Sequence, residues 1–479
     1  MLKMIRWTAL AVLLGVVGWL GWYFAKADLP TPPSGAATLI YDVSQLNPIA
    51  MTQVYAVRNE TELAAFLQRS QGPISIGGGR YSQGGHTAIL DGVQLDMRTF
   101  NQVLAFDPVA KQIRVQAGMR WSELQRVIDP HQLAVKIMQT YANFTIGGSV
   151  SVNAHGRYVG QGALVHSILA LRLMLADGQI LELSPQQHPE IFYAVIGGYG
   201  GLGVILDVTL QLTDNSKVKR HYADMPLADY AAWFATQRHE QPTMVFHNAD
   251  LFPPHYNQVR AVSWLQTDEP VTEPQRLHPQ GNDYRYQARL VDFVADYPAG
   301  KWLRQHVFEP LVYQADTVHW RNFEASYDVA ELEPVSRQDF SYGLREYFVP
   351  VDQLQPFVAR MASIFEQHHV NVLNVSIRHA KADPHTLLSW SPTEVFCLVV
   401  YYRQGTDSQA QQATDAWSQA MVEASIAVGG RYYLPYQRSA TVTQFSQAYP
   451  GIRRFAELKQ QLDPNGRFTN AFWQKYLPK

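Results

Sequence analysis

The chain has 479 residues, 47% of them hydrophobic and 17% charged, which exceeds one simple core and points to two or three domains. A net charge of -2 with no basic stripe excludes the nucleic-acid binders. The one cysteine, Cys397 in "VFCLVVYY", excludes an intrachain disulfide and a cysteine metal cluster, and reads as a small core residue.

The N-terminus carries Lys3 and Arg6 and then an uncharged, mostly apolar run from Trp7 to Phe24. As a helix its eighteen residues would span about 27 Å, close to a bilayer core. Trp19, Trp22 and Tyr23 stand near its far end, where amphipathic rings favour the headgroup layer. Residues 1–27 therefore read as a membrane anchor, or as a cleaved signal peptide ending at the small-x-small "AKA" of 25–27. Lys3, Arg6 and the terminal amine outweigh Lys26, which places the bulk of the protein on the non-cytoplasmic side. A bacterial inner membrane facing the periplasm is the expected setting. A Pro-rich linker follows over 28–37.

Residues 38–213 alternate short β-rich runs with turn signals and a few amphipathic helices, an α+β pattern. "ELAAFLQRS" and "WSELQRVIDPH" have helical spacing; "PISIGG", "VQLDM", "QIRVQAG" and "GVILDVTLQL" read as strands. "LRLMLADGQILELS" reads as a hairpin turning at Asp177-Gly178. Residues 214–430 are richer in aromatics and longer helices, with strands "YGLREYFVP", "NVLNVSIRHA" and "EVFCLVVYYR", and suggest a second, helix-covered sheet. Residues 431–479 read as a helical segment returning to the first domain.

Three glycine-rich loops lie in the first domain. "GGGRYSQGG" runs over 77–85, "TIGGSVSVNAHG" over 145–156 and "IGGYGGLGVILDVTLQL" over 196–212. Glycine lets a ligand approach backbone amides with no Cβ in the way, so the first loop is a candidate pyrophosphate cradle. The third contains G-x-G-x-x-G at Gly198, Gly200 and Gly203, but a helix precedes it and a strand follows. That order is the reverse of a dinucleotide fingerprint, and the NAD reading is rejected.

Three ordered loops of this kind, closed by "LDPNGRFTNAFW", resemble the FAD domain of the vanillyl-alcohol oxidase, or PCMH-type, flavoproteins. The resemblance implies a two-subdomain FAD-binding domain followed by an α+β cap. It implies FAD held by Gly77, Gly78, Gly79, Arg80, Tyr81, Ser82 and His86 in the first loop. The second loop would contribute Gly147, Gly148, Ser149, Asn153 and Gly156, and the third Gly203 and Ile205. Tyr81 stands where many members carry the histidine that bonds FAD covalently, so non-covalent FAD is expected, with His86 reaching the flavin as the alternative.

In the cap, "YGLREYFVP" resembles a strand of the family's sugar and polyol oxidoreductases. Arg345 and Glu346 must point to opposite faces, and Glu346 is taken as the catalytic one. "SIR" at 376–378 resembles the E-x-R of alditol and aldonolactone oxidases, with Arg378 retained and Ser376 in place of the glutamate. "YYLPYQRS" resembles a segment of decaprenylphosphoryl-ribose oxidases in which a lysine lies near the position of Tyr436, making Tyr436 an acid/base or hydroxyl-orienting candidate. No metal site is expected. The resemblance thus implies an FAD-dependent oxidoreductase taking a hydride from a CH–OH group of a sugar, polyol or lipid-linked sugar. A quinone or membrane carrier is the expected electron acceptor. The rival readings are a flavin-dependent alkene reductase and a flavin-fold protein that binds without turnover.

Overall fold

The computed structural model describes residues 36–477, together with residues 18, 21–23 and 25. The anchor expected over 1–27 and the linker over 28–37 lie almost wholly outside the described residues. Among the described residues no helix is long and apolar enough to cross a membrane.

The first subdomain is a three-stranded parallel sheet with Val93–Asp96 between Gln53–Ala56 and Ile74–Gly77. Helix Glu60–Arg69 makes the crossover. It starts at Asn59, whose side chain accepts from the Glu62 amide and satisfies an otherwise orphaned donor. Leu63 and Leu67 are four apart on its inner face and pack with Val57, Ile74 and Leu95. The register ends at Gly77 opposite Asp96, so the first glycine loop leaves from the carboxyl end of its strand.

The second subdomain is antiparallel, in the order Ile180–Leu183, Ile168–Met174, Val204–Asp214, Gln112–Gln116, Val103–Asp107, with Leu133–Val135 also pairing to Val204–Asp214. The third glycine loop feeds the central strand of this sheet. Gly118 shows how tightly the two subdomains meet, because a Cβ there would stand 1.7 Å from the Met97 carbonyl oxygen.

The cap is an eight-stranded sheet. Its order is Val318–Trp320, Lys217–Pro226, Gln258–Gln266, Met244–Leu251, Asn371–Ala380, Val395–Gly405, Phe340–Pro350, Arg431–Tyr432. Along Phe340–Pro350, Arg345 and Tyr347 face the helices Leu354–Gln367 and Ser408–Ala427, with Tyr347 against Phe357 and Arg345 over Trp417. Strand alternation then turns Glu346 and Phe348 to the other face, towards the FAD-binding domain. After Tyr432 the chain returns to that domain, where Phe468 bridges to Ile74. The return is tied by Lys459, a buried ammonium that donates to the carbonyls of Gly201 and Phe468 and to Asp463, each at 2.7 Å.

Candidate active site

One cavity of about 770 Å³ runs between the FAD-binding domain and the face of the cap sheet that carries Glu346. Eleven of the fourteen expected cofactor residues line it: Gly78, Gly79, Arg80, Tyr81, Ser82 and His86 from the first loop, Gly147, Gly148 and Ser149 from the second, Gly203 and Ile205 from the third.

The other three do not line it. Gly77 is still in its strand, where a Cβ would meet the Gln94 carboxamide at 2.8 Å. Asn153 turns away to join the domains. Its Nδ2 donates to Asp383 at 2.9 Å, its Oδ1 accepts from the Val165 amide, and its carbonyl accepts from Trp390. Gly156 is bare because a Cβ would stand 2.1 Å from the Met138 carbonyl oxygen.

The bare backbone of the first loop does more than make a place for a diphosphate. A Cβ on Gly78 would meet the Thr145 hydroxyl at 2.2 Å, and one on Gly84 the Tyr436 carbonyl at 2.6 Å. The glycines let the second loop and the returning chain press onto the first. Gln83 completes this clasp, since its amide donates to the Pro435 carbonyl at 2.7 Å and its Oε1 accepts from the Leu344 amide at 2.9 Å. The first loop therefore positions both the Glu346 strand and the Tyr436 segment.

The cavity wall suits FAD. Arg80 Nε, Thr140 Oγ1 and His86 Nδ1 are buried in the lining with no protein partner, and a buried donor or acceptor left so needs a ligand or water to satisfy it. His86 Nε2 donates to the Leu434 carbonyl at 2.8 Å, and its ring stacks on Phe472. Burial, aided by the charge of Arg438, pushes its pKa down to about 3 against that hydrogen bond, so His86 is neutral with a lone pair on Nδ1.

The cap supplies the opposite wall. Ser376, Val399 and Glu346 lie in one register row across three strands, and Arg378 is two residues along from Ser376 on the same face. All four line the cavity. Glu346 is 5% exposed; its Oε2 accepts from His155 Nε2 at 2.5 Å and its Oε1 from the Tyr436 hydroxyl. Burial works to raise its pKa, but His155, the charge of Arg378 and the Tyr436 hydrogen bond outweigh it and hold the group below the usual carboxylate range. Burial and the adjacent carboxylate push the Tyr436 hydroxyl well up, so Tyr436 keeps its proton. Arg378 Nε is buried without a protein partner.

Glu346, Arg378 and Tyr436 are thus brought together with a fourth member, His155 of "NAHG", which the sequence leaves open between a flavin or substrate contact and a structural hydrogen bond. It sits in the second glycine loop, 191 residues from the carboxylate that it meets. Glu331 was missed in the sequence. It lines the same cavity, where burial, Asp328 and Glu324 lift its pKa to about 7. Cys397 is fully buried on the sheet.

Glycine loops backing a long cavity, faced by a sheet that presents a buried carboxylate, define a flavin-dependent oxidoreductase with a separate substrate cap. Comparison with known proteins agrees. The FAD binding domain family matches residues 51–184, and the D-arabinono-1,4-lactone oxidase family matches residues 254–476. L-gulonolactone oxidase of Mus musculus is 24% identical over 440 residues, covering 90% of this chain and 95% of that protein. Alditol oxidase of a Streptomyces species is 23% identical over 404 residues, covering 81% and 86%. Decaprenylphosphoryl-beta-D-ribose oxidase of Mycolicibacterium smegmatis is 21% identical over 467 residues, covering 92% and 94%. The chain is similar to the PCMH-type FAD-linked oxidoreductases, and it is an FAD-dependent enzyme acting on CH–OH donors. The alkene-reductase and non-catalytic readings find no support in these comparisons.

Proposed function

We propose that the enzyme oxidises a hydroxyl-bearing carbon of a sugar, polyol or lipid-linked sugar, with Glu346 taking the hydroxyl proton. The observation that carries this is a buried, ionised carboxylate in the cavity, held by donors from two different segments. FAD, when bound, supplies the hydride acceptor. His155 and Tyr436 fix the carboxylate, and each of its oxygens keeps a lone pair for a substrate hydroxyl. Arg378, with its unpartnered Nε, orients the substrate oxygen. Glu346 is a weak base, but a hydroxyl whose carbon is losing hydride becomes strongly acidic, so a weak base suffices in the transition state. A panel of sugars, alditols and aldonolactones mixed anaerobically with the oxidised enzyme tests this. At least one is expected to bleach the flavin; bleaching by NADPH alone would overturn the reading.

FAD is held without a covalent bond in this reading. Tyr81 offers no imidazole, and His86 is wedged between Phe472 and the Leu434 carbonyl. Acid precipitation is expected to leave the yellow colour in the supernatant; colour retained in the pellet would assign a bond to His86.

The anchor belongs to the same proposal. A catalytic part tethered to a membrane on its non-cytoplasmic side can hand electrons to a quinone. Reduced enzyme is then expected to reoxidise faster with a soluble quinone than with air, and rapid peroxide formation would sink the idea.

A further inference from the structure

One segment of the cap keeps apolar side chains in water. Residues 285–314 form helices Arg285–Asp296 and Pro298–Leu303, a π-helical turn Arg304–Phe308 and helix Glu309–Gln314. Of the sixteen large apolar side chains exposed among the described residues, seven lie between 286 and 312. Tyr286, Tyr297, Trp302 and Phe308 are aromatic; Leu290, Leu311 and Val312 are aliphatic, with Leu311 64% exposed. A concentration of this kind within one segment points to a contact site, because scattered exposed apolar residues need no explanation but a cluster does.

Two further observations say what covers it. Leu290, Phe308 and Val312 are exposed and also line the catalytic cavity, so part of the patch borders the cavity mouth. Tyr23 packs on this same segment, with its ring 6.0 Å from Phe293 and 6.4 Å from Tyr297, and with Arg289 over its face at 5.3 Å. Tyr23, which belongs to the uncharged run Trp7–Phe24, therefore meets the segment that carries the patch. Amphipathic rings such as Tyr286, Tyr297 and Trp302 suit the headgroup layer, while Leu311 and Val312 suit the acyl boundary beneath it.

We propose that the 285–314 segment is a platform that seats on the lipid bilayer surface, so that the cavity mouth opens at the lipid–water interface. This rests on the anchor reading above, and the two can fail separately. The platform orients the enzyme by turning the cavity mouth to the membrane.

The test uses the full chain in phosphatidylethanolamine–phosphatidylglycerol vesicles, with a nitroxide on Leu311→Cys or, for comparison, on Val109→Cys. Val109 is 91% exposed on the FAD-binding domain, and Cys397 is fully buried and stays unlabelled. Both replacements are at exposed positions, and flavin absorbance confirms folding. Collision with oxygen and with a water-soluble nickel chelate gives depth. The label at 311 is expected about 5–10 Å into the headgroup and acyl boundary, and the label at 109 in water. Full-chain protein that floats with vesicles while both labels collide equally with the chelate overturns the platform and leaves the anchor standing. Failure to float overturns both. Dipolar broadening between labels at 311 that persists in detergent would show a second copy on the patch and also overturn the proposal.

Discussion

Replacing Glu346 with glutamine is expected to leave FAD bound and to slow alcohol-driven bleaching of the flavin by at least about 100-fold, the lower end for loss of a positioned base. The amide keeps the size of the side chain and an oxygen for the Tyr436 hydroxyl. Its nitrogen would face the His155 Nε2 proton, but His155 can carry that proton on Nδ1 instead, which has no partner in the protein. The site therefore stays folded, and the loss reads in kcat more than in KM. The wild-type rate owed to this group is lost only as pH falls through a folded pKa below the usual glutamate range. Tyr436→Phe removes one donor to the anion, so that pKa rises and the acidic limb of the rate profile moves to higher pH. A limb near pH 7 has another owner, Glu331, and Glu331→Gln is expected to abolish it while retaining most of the activity. Stopped-flow bleaching of the three variants across pH decides among these. Near-wild-type bleaching by Glu346→Gln would remove the base from the mechanism.

The parts of this site visible in the sequence are those fixed by local rules. Strand alternation alone separates Arg345 from Glu346, and the structure places them on opposite faces. Ordered glycine pairs give away the loops. What was hidden is pairing between distant segments. Ser376 lacks the carboxylate that its motif implies, and Glu346 stands in the same register row two strands away, roughly 10 Å at ordinary strand spacing. Nothing in the sequence states that register. His155 in its tight loop reads equally as a ligand contact or as a structural hydrogen bond, and only the closed fold brings it to Glu346. Asn153 and Gly156 share its loop and were assigned to FAD, yet one ties the domains together and the other makes room for a carbonyl. Identical local chemistry serves ligand and scaffold alike. The cap strand Lys217–Pro226 escaped notice for another reason: it is mostly polar with a single buried residue, Val218, so alternation of apolar residues is weak there.

Gly78→Ala is expected to weaken FAD binding about five- to 150-fold, the equivalent of about 1–3 kcal/mol of overpacking. The cause is space, because residue 78 does not adopt the left-handed backbone that would itself demand glycine. The Thr145 hydroxyl sits in a slot between Gly78 and Gly148, 2.2 Å and 2.8 Å from where their Cβ atoms would be. Thr145 is 2% exposed and heads the short helix Ile146–Ser151, so it cannot swing aside without moving the second loop. A methyl at 78 must therefore push apart the two loops that face each other across the cavity. This cause is separable from direct loss of a cofactor contact. In the double variant Gly78→Ala, Thr145→Ala the offending hydroxyl is gone, and the remaining Cβ–Cβ separation of 3.3 Å is tight but tolerable after a small shift. FAD affinity measured by flavin fluorescence quenching should then recover most of the loss. If the second substitution only adds to the first, Gly78 is bare for the ligand, and the first loop is the simple cradle that its sequence suggests.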